Sequence, residues 1–396
     1  MPMRPCWVEI RTRSLEENFR LLVSLAAGQA ELLAIVKADA YGHSLELCAP
    51  AAVRAGARWL GVNSVEEGVA ARSLCSESGI LVIGGVFAGQ GAAVVEHGLT
   101  AVVWEPDQFD ELEGAARAAG AGTGSVPVHL EIDTGMSRQG VSPDGLAPFL
   151  ARLGPGSALR LEGVMTHLFA ADEADGRLTS EQLARLDQAM RQIENFGLYP
   201  DWLNVGNSAA LLSGEAGRIE ILAGRHGMKA MLRPGLALYG LAPRFDPCFE
   251  PGTEPEGVAA AIAALQPVLS WKTQVVGVRA VPAGAVVGYN GTFLATEPMR
   301  LALLAVGYAD GLDRRLGNRF SLLVRGQRAP LVGRISMDQA VVDVTEIAEV
   351  EAGDEVVILG EQGGESITAF DLAEAAGTIP WEIFTRIGAR VRRIAV

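Results

Sequence analysis

Lysine is scarce in this chain. Of its 33 basic residues only three are lysines, Lys37, Lys229 and Lys272, and the other thirty are arginines. Arginine therefore fills nearly every position where a positive charge alone is needed. A lysine amine, unlike a guanidinium, can lose its proton and attack a carbonyl group. Lys37 follows an apolar run in "ELLAIVKADAYGHS", so it is a candidate for covalent chemistry as well as for an ordinary surface position.

Metal-ligand spacings, long basic runs and long apolar runs are absent from the sequence, and each absence argues against a class of protein. The four cysteines have no CxxC spacing and the five histidines no HExxH or similar ligand spacing, so no metal site is predicted. The net charge of −14, without a long basic run, argues against a nucleic-acid partner. No apolar run could span a bilayer, and the first residues lack the apolar core of a secretion signal. We therefore expect a cytoplasmic protein without membrane or nucleic-acid partners.

The first 240 residues repeat one pattern, in which a short apolar run is followed by a turn and a helical stretch. The runs are "LLAIVK", "WLGVNS", "ILVIGG", "LTAVVW", "VPVHLEID", "LRLEGVMTH", "WLNVGNS" and "LRPGLALYG". They are too apolar to alternate, as is typical of parallel strands that are covered on both faces. The pattern predicts an α/β fold whose N-terminal domain, residues 1–242, is a (β/α)8 TIM-type barrel. A doubly wound open sheet is the alternative, but the first run lacks the Gly-rich loop expected there.

The composition changes from Pro243 onward. "PRFDPCFEPGTEPEG" is rich in Pro and Glu and is typical of a linker. The segments "LSWKTQVVGVRAV", "RLALLAVGY", "SLLVRG" and "DEVVILG" then predict a C-terminal, mainly antiparallel β-domain within 243–396. It should include one helix, capped by Thr368 and ended by Gly377. The first residues of the chain could pack on this domain instead of on the barrel.

In a barrel enzyme the active site lies at the carboxyl ends of the strands. The residues expected there are Lys37, Tyr41, Asp133, Arg138, His167, Asn207, Ser208, Arg233 and Gly235, the last two near the start of the eighth strand, "LRPGLALYG". Each alone has an ordinary explanation, such as a helix cap or a core histidine, but their shared position favours a site. A serine at a helix N-terminus and a nearby glycine suit a phosphate. A reactive lysine and a phosphate seat are the two requirements of pyridoxal 5′-phosphate.

Six motifs in this sequence, in the same order, resemble those of the alanine racemase family. They are "AIVKADAYGHS", "DTGMSRQG", "NSAA", "RPGLALYG", "GYADG" and "GRISMDQAVVDVT", and the resemblance runs from about Trp7 to Arg393. It implies a fold-type III pyridoxal-phosphate enzyme that interconverts L- and D-alanine, the latter a peptidoglycan precursor. It also implies a head-to-tail homodimer in which the partner's β-domain completes each site.

The resemblance further implies a role for each matching residue. Lys37 would bind the cofactor as a Schiff base and act as one base, and Tyr289 of the partner subunit would act as the other. Two bases suit racemisation, because a single fixed base reaches only one face of the α-carbon. The cofactor-binding residues implied are Lys37, Tyr41, Arg138, His167, Asn207, Ser208, Arg233, Gly235, Leu236 and Trp381. Arg138 and the Met337 backbone would bind the substrate carboxylate.

Three residues depart from the family pattern. Glu131 stands where many members carry a carbamylated lysine, Trp381 where a tyrosine is usual, and Asn204 where a histidine is familiar. Two alternatives remain open: a racemase of another small amino acid such as serine, and a non-catalytic pyridoxal-phosphate-binding protein. A barrel-type decarboxylase is disfavoured, because it should place an acidic residue, and not Arg233, at the ring nitrogen.

Overall fold

The computed structural model describes residues 4–26, 30–173, 175–245 and 258–396. They form two compact units. The barrel unit consists of Arg13–Ala40 and Leu45–Gln266, and the β-unit consists of residues 4–12, Tyr41–Ser44 and Pro267–Val396. Most of the predicted linker, from residue 246 to 257 and including Cys248, lies outside the described residues.

Eight parallel strands close into a barrel. The first strand of the chain, β1 (Cys6–Ile10), belongs to the β-unit. The barrel strands follow as β2 (Glu31–Ile35), β3 (Trp59–Val62), β4 (Gly79–Val82), β5 (Thr100–Val103), β6 (Val126–Glu131), β7 (Leu159–Met165), β8 (Trp202–Asn204) and β9 (Lys229–Leu232). Pairing of β9 with β2 closes the ring, so the predicted barrel is confirmed and the open-sheet alternative is wrong.

Helices alternate with the barrel strands along the chain, beginning with a helix before β2. They are α1 (Thr12–Leu25), α2 (Leu45–Arg54), α3 (Val65–Leu74), α4 (Gly91–Glu96), α5 (Pro106–Ala118), α6 (Ala147–Leu150), α7 (Arg177–Asn195), α8 (Ser208–Leu212) and α9 (Ala216–Arg225), with α10 (Val258–Ala264) after the ring. The longest, α7, buries Leu183, Leu186, Met190 and Ile193. Their spacing of three or four residues places them on one face, as is typical of a helix that packs with one side against a core.

The predicted position of the eighth barrel strand was wrong. "LRPGLALYG" contributes only Leu232 to β9, which begins at Lys229, and Leu236–Tyr239 forms a 3₁₀ turn. Pro234 has no N–H to donate, so a ladder cannot continue through it. The apolar residues after it are buried, and the Tyr239 hydroxyl donates to the Ile35 carbonyl at 2.8 Å. Arg233 and Gly235 therefore lie just past the carboxyl end of a strand and not near its start.

The β-unit is built around one long strand. Its strands after β1 are β10 (Leu269–Val281), β11 (Val286–Val287), β12 (Phe293–Leu294), β13 (Met299–Leu304), β14 (Ser321–Val324), β15 (Gln327–Pro330), β16 (Ala340–Asp343), β17 (Glu355–Gln362), β18 (Glu365–Ile367) and β19 (Arg392–Ala395). The strand β10 pairs antiparallel with β1 and β17 through its first half and with β13 through its second. Among the described strands of this unit, β1 and β19 make the one parallel pair. The predicted mainly antiparallel domain is confirmed.

Two helices complete the β-unit, α11 (Ala369–Ala376) and α12 (Pro380–Thr385). Thr368 caps α11 by accepting the N–H of Asp371, and Gly377 ends it at φ 65°, a left-handed conformation that favours glycine. Both predicted helix boundaries are confirmed. Across the four described ranges, every helix is too short or too polar to span a bilayer.

A buried asparagine joins α1 to the end of the barrel unit. Asn18 is 1% exposed, and its Nδ2 donates to the carbonyls of Leu238 at 3.2 Å and Gln266 at 2.8 Å. Its Oδ1 accepts the Gln266 N–H at 2.8 Å. One side chain therefore satisfies three backbone groups.

We expect Asn18→Ala to lower the free energy of unfolding by about 2–4 kcal/mol, because those backbone groups lose their partner. Urea denaturation at fixed protein concentration measures the change. The matched control is Asn195→Ala, at an exposed last position of α7, which should stay within about 0.5 kcal/mol of the parent. Equal losses in the two variants would contradict the role given to Asn18.

Candidate active site

The carboxyl ends of the barrel strands carry a cluster of charged and polar side chains. Lys37 lies two residues beyond β2, and Glu131 is the last residue of β6. His167 follows β7 by two residues, Asn204 ends β8, and Arg233 directly follows β9. Because parallel strands end at the same rim, the fold brings these five residues to one end of the barrel.

Arg233 is the most constrained residue of the rim, with 5% exposure. Its Nη1 donates to the backbone carbonyl of Asn204 at 2.8 Å and to Asn204 Oδ1 at 2.5 Å. Its Nη2 donates to the Thr166 carbonyl at 2.9 Å and lies 3.2 Å from His167 Nδ1. Burial lowers the pKa of Arg233 to about 10, so it stays charged at neutral pH. Four of its five N–H groups are used in this way, and the Nε–H remains for a ligand.

His167 is held neutral beside this guanidinium. Its Nδ1 accepts from Arg233, which places the ring proton on Nε2. Burial, and then the positive charges of Arg233, Arg138 and Lys37, lower the pKa of His167 to about 3. The residue therefore offers an N–H donor and no positive charge at neutral pH.

Glu131 supplies a buried carboxylate, with 2% exposure. Burial raises the pKa of this carboxyl, while a hydrogen bond from Gln139 and the charges of Arg233 and Arg138 oppose that rise. Gln139 Nε2 donates to Glu131 Oε2 at 2.5 Å and also contacts the Ile83 carbonyl at 3.3 Å. The hydrogen bond to Glu131 therefore comes from Gln139 and not from Arg138, which is exposed.

Lys37 is half-buried at the start of an unusual turn. Burial, followed by the charges of Arg138 and Arg233, lowers the pKa of its amine, and the charge of Glu67 opposes this. The backbone after it is left-handed, with φ between 53° and 55° at four consecutive residues, Ala38–Tyr41. None of them is glycine, and each L-residue in this conformation costs about 1–2 kcal/mol. No pattern in the sequence predicts this strain.

Two loops at the rim meet at Ser208. Asn207 caps α8 by accepting the Ala210 N–H at 3.0 Å, as the sequence predicted. The Ser208 hydroxyl accepts the N–H of Gly235 at 2.9 Å and of Ala237 at 3.2 Å. Leu236 lies between these two donors, so the hydroxyl draws the backbone after β9 to the N-terminus of α8.

The remaining predicted site residues belong to the β-unit. Tyr289 is 66% exposed, and with Met337, Tyr308 and Arg334 it lines a cavity of that unit. The Met337 carbonyl accepts the N–H of Ala309 at 3.0 Å. Trp381 is half-buried in α12, and Tyr41 also falls within the β-unit. The barrel residues therefore come together in one unit and these four residues in the other.

Sequence reasoning missed two residues of the rim. Gln139 lies inside the motif "DTGMSRQG", but nothing in the pattern marks it as the donor to Glu131. Glu67 contacts the backbone after Lys37 and opposes the lowering of the Lys37 pKa. Its only signal is the helix-start pattern Ser64-x-x-Glu67, which is common in proteins.

The fold and the rim together define the class of protein. A closed parallel barrel carries a lysine, a buried arginine and a serine at a helix N-terminus at one rim, as is typical of a (β/α)8 enzyme. Comparison with known proteins is specific. Residues 10–243 match the family described as "Alanine racemase, N-terminal domain", and residues 268–395 match "Alanine racemase, C-terminal domain". The chain belongs to the alanine racemase family and is an isomerase.

Individual relatives agree. An alanine racemase from Symbiobacterium thermophilum is 38% identical over 391 residues, which cover 99% of this chain and 97% of the relative. The crystal structure of alanine racemase from Streptomyces lavendulae gives a TM-score of 0.87 at 34% identity, covering 100% of this chain and 98% of that one. The enzyme from Bartonella henselae, solved with covalently bound pyridoxal phosphate, gives 0.81 at 26% identity and covers 99% of each chain.

Beneath the rim, the barrel encloses a second histidine. His129 is completely buried, with its Nδ1 3.4 Å from Asn204 Nδ2 and its Nε2 3.8 Å from Glu162 Oε2. Burial, then the charges of Arg233 and Arg160, lower the pKa of His129 to about 3. Because Asn204 Oδ1 already accepts from Arg233, its amide N–H donates to His129, which stays neutral.

A depressed histidine pKa makes stability fall as the solution is acidified. Below pH 6.5 the unfolded chain takes up a proton at this position and the native chain does not, down to pH about 3. Between pH 7 and 5, His129 should therefore contribute a loss of about 2 kcal/mol. We expect His129→Gln to remove that part of the pH dependence, measured as the slope of unfolding free energy against pH. His97→Gln, near the surface, should keep the parent slope; unchanged slopes in both variants would contradict this assignment.

Proposed function

We propose that this isomerase uses pyridoxal 5′-phosphate and two bases, Lys37 and Tyr289 of the partner subunit, to interconvert L- and D-alanine. The observation that carries the proposal is the Lys37 amine at the carboxyl rim of the barrel. It is half-buried, and burial with the charges of Arg138 and Arg233 lowers its pKa. A lysine with a lowered pKa loses its proton more readily, which suits both attack on an aldehyde and proton abstraction.

The rim residues fit this cofactor. The Nε–H of Arg233 would face the ring nitrogen, and Lys37, Arg138 and Arg233 would provide positive charge for the anionic groups. Ser208, Asn207, Gly235 and Leu236, with Tyr41, would hold the phosphate at the N-terminus of α8. The relative from Bartonella henselae, titled with covalently bound pyridoxal phosphate, supports the same ligand here. When bound, the cofactor withdraws electrons and makes the substrate α-proton acidic.

Arg233 then limits how far electrons are withdrawn. Its pKa, about 10 after burial, is far above that of a pyridine nitrogen, so it donates a hydrogen bond without giving up the proton. An acidic residue there would keep the ring nitrogen protonated. The arginine would therefore restrain side reactions such as transamination, in which the proton is added to the former aldehyde carbon of the cofactor and not to the substrate α-carbon.

The second base requires a second copy of the chain. Tyr289 is 66% exposed, and exposed apolar side chains accompany it in the same unit at Val286, Leu294 and Met337. Exposed apolar groups of this kind are typical of a surface that is covered by a partner. We propose a head-to-tail homodimer in which the partner's Tyr289 serves the face of the α-carbon opposite Lys37. The Nε2–H of neutral His167 would donate to the phenolic oxygen and so favour its ionised form.

The substrate carboxylate would be bound by Arg138 and by the backbone at Met337. Arg138 is exposed at the barrel rim, where a guanidinium can bind a carboxylate through two N–H groups. Trp381 is bulkier than the tyrosine usual at its position and has no hydroxyl. The residue at this position therefore bears on the choice between alanine and another small amino acid such as serine.

Lys37→Ala should abolish the absorption band of the lysine-bound cofactor and all racemisation, because no other amine takes its place at this rim. Absorption spectra before and after borohydride treatment, with mass spectrometry of the lysine peptides, measure it. The control is Lys229→Ala, which removes an exposed lysine at the start of β9. This variant should retain the absorption band and the racemisation activity. A modified lysine other than Lys37 would contradict the proposal.

Tyr289→Phe should retain the cofactor band while kcat falls by roughly 10²–10⁴, the usual contribution of a general base. Exchange of the α-proton in heavy water should slow much more from one enantiomer of alanine than from the other, since Lys37 still serves its own face. Tyr199→Phe, at a 77% exposed tyrosine of the barrel unit, is the control. Normal exchange from both enantiomers in Tyr289→Phe would refute the two-base assignment.

The substrate preference is tested separately, by comparing racemisation of L-alanine and L-serine by the parent enzyme.

A further inference from the structure

The turn that carries Lys37 needs an external restraint. Its four residues with φ between 53° and 55°, Ala38–Tyr41, are all L-residues without the freedom of glycine. Such a conformation persists only where surrounding contacts hold it. Asp39 Oδ1 accepts the Leu45 N–H at 2.7 Å, which ties the turn to the start of α2, and the Ala40 N–H donates to the Val36 carbonyl at 2.8 Å. The Ala38 N–H, next to Lys37, is held by a residue of a different loop.

That restraint is the carboxylate of Glu67. Its Oε1 accepts the Ala38 N–H at 2.8 Å, and its Oε2 accepts the Asn63 N–H at 2.7 Å. One side chain therefore bridges the residue after Lys37 and the loop after β3. Both bonds are made to the backbone, so they fix the path of the chain and not merely one side chain.

Ordinary helix capping explains only part of this arrangement. Ser64 caps α3 and accepts the Glu67 N–H at 3.3 Å, so Glu67 occupies the third helical position, where a capping box places a glutamate. In that motif the glutamate returns to the N–H of the cap residue itself. Here one oxygen reaches Asn63, a residue before the cap, and the other leaves the helix for Ala38. A purely structural cap would have no need of the second contact.

Glu67 also acts on Lys37 through its negative charge. Arg138 and Arg233 both place positive charge near the amine, and His167, whose pKa is lowered in part by the charge of Lys37, stays neutral. Glu67 is the one carboxylate, within the described ranges, that opposes their effect on the Lys37 pKa.

We propose that Glu67 is a positioning residue for Lys37: its carboxylate fixes the left-handed turn that aims the amine, and its charge offsets the two arginines. The proposal rests on the proposed function of Lys37. Glu67 touches neither the substrate nor the cofactor in this role, and it acts through the backbone and the electrostatic field at the amine.

Having only three lysines makes a direct test possible. Competitive acetylation with trace acetic anhydride at a series of pH values, read by mass spectrometry, reports the titration of each lysine in the full-length protein freed of cofactor. Lys229, which is exposed, is an internal reference in every sample. Hydrogen exchange of the peptide that contains Ala38 reports the turn. Neither measurement depends on activity of the loaded enzyme.

Three variants separate the effect of the Glu67 charge from the effect of its side-chain length. Glu67→Gln removes the charge, and the midpoint of Lys37 acetylation should fall by roughly 0.5–1 pH unit while that of Lys229 is unchanged. Glu67→Asp keeps the charge but is one methylene shorter; its Lys37 midpoint should stay within about 0.3 unit of the parent, while exchange at Ala38 rises roughly tenfold. Glu66→Gln, the exposed neighbour on the same helix, should match the parent in both measurements.

Two results would contradict the role proposed for Glu67. Glu67→Gln and Glu67→Asp with parent-like titration and parent-like exchange would overturn the proposal. So would equal changes in Glu66→Gln, which would indicate a general effect on α3. Failure of the proposed function is distinguished by the parent protein: adding pyridoxal phosphate would then leave Lys37 acetylation unprotected, whatever the Glu67 variants show.

Discussion

The buried charge of Arg233 is the constraint on which the barrel rim depends. A guanidinium with 5% exposure must have its N–H groups satisfied by the protein, and here they are satisfied by neighbours on β8 and after β7. Those contacts tie three consecutive strand ends into one network. They also leave His167 no choice of tautomer, because Nδ1 faces a permanent donor. The tautomer of His167 thus follows from the position of the charged Arg233.

An excess of positive charge is the second consequence. Lys37, Arg138 and Arg233 lie at a rim where Glu131 and Glu67 are the carboxylates that act on them. A cluster of this kind depresses the proton affinity of its weakest base, which is the lysine amine, and attracts an anionic ligand. The same field therefore prepares the amine for attack and the rim for a phosphate. Carboxylates close enough to pair fully with the arginines would cancel both effects.

The sequence predicted those features that arise from local patterns. Seven of the eight barrel strands follow from apolar runs, and Thr368 and Gly377 follow from cap chemistry. The eighth strand was misplaced because "LALY" is apolar without being a strand, and apolarity alone does not separate a strand from a buried 3₁₀ turn. The contact of Glu67 with Ala38 joins the loops after two neighbouring barrel strands, and the contact of Glu131 with Gln139 depends on how the loop after β6 folds back on that strand. No local sequence pattern encodes either contact.

Asn204 illustrates how a departure from the family pattern can preserve a network. The amide accepts from Arg233 through Oδ1 and donates to His129 through Nδ2, and these are the two hydrogen bonds that a neutral histidine at the same place could also make. The orientation of the amide is fixed because the guanidinium is only a donor. It follows that His129 must accept at Nδ1 and direct its Nε2–H toward Glu162. A single permanent charge at the rim therefore determines proton positions as far as the interior of the barrel, which a replacement of Asn204 by an apolar residue of similar size would interrupt.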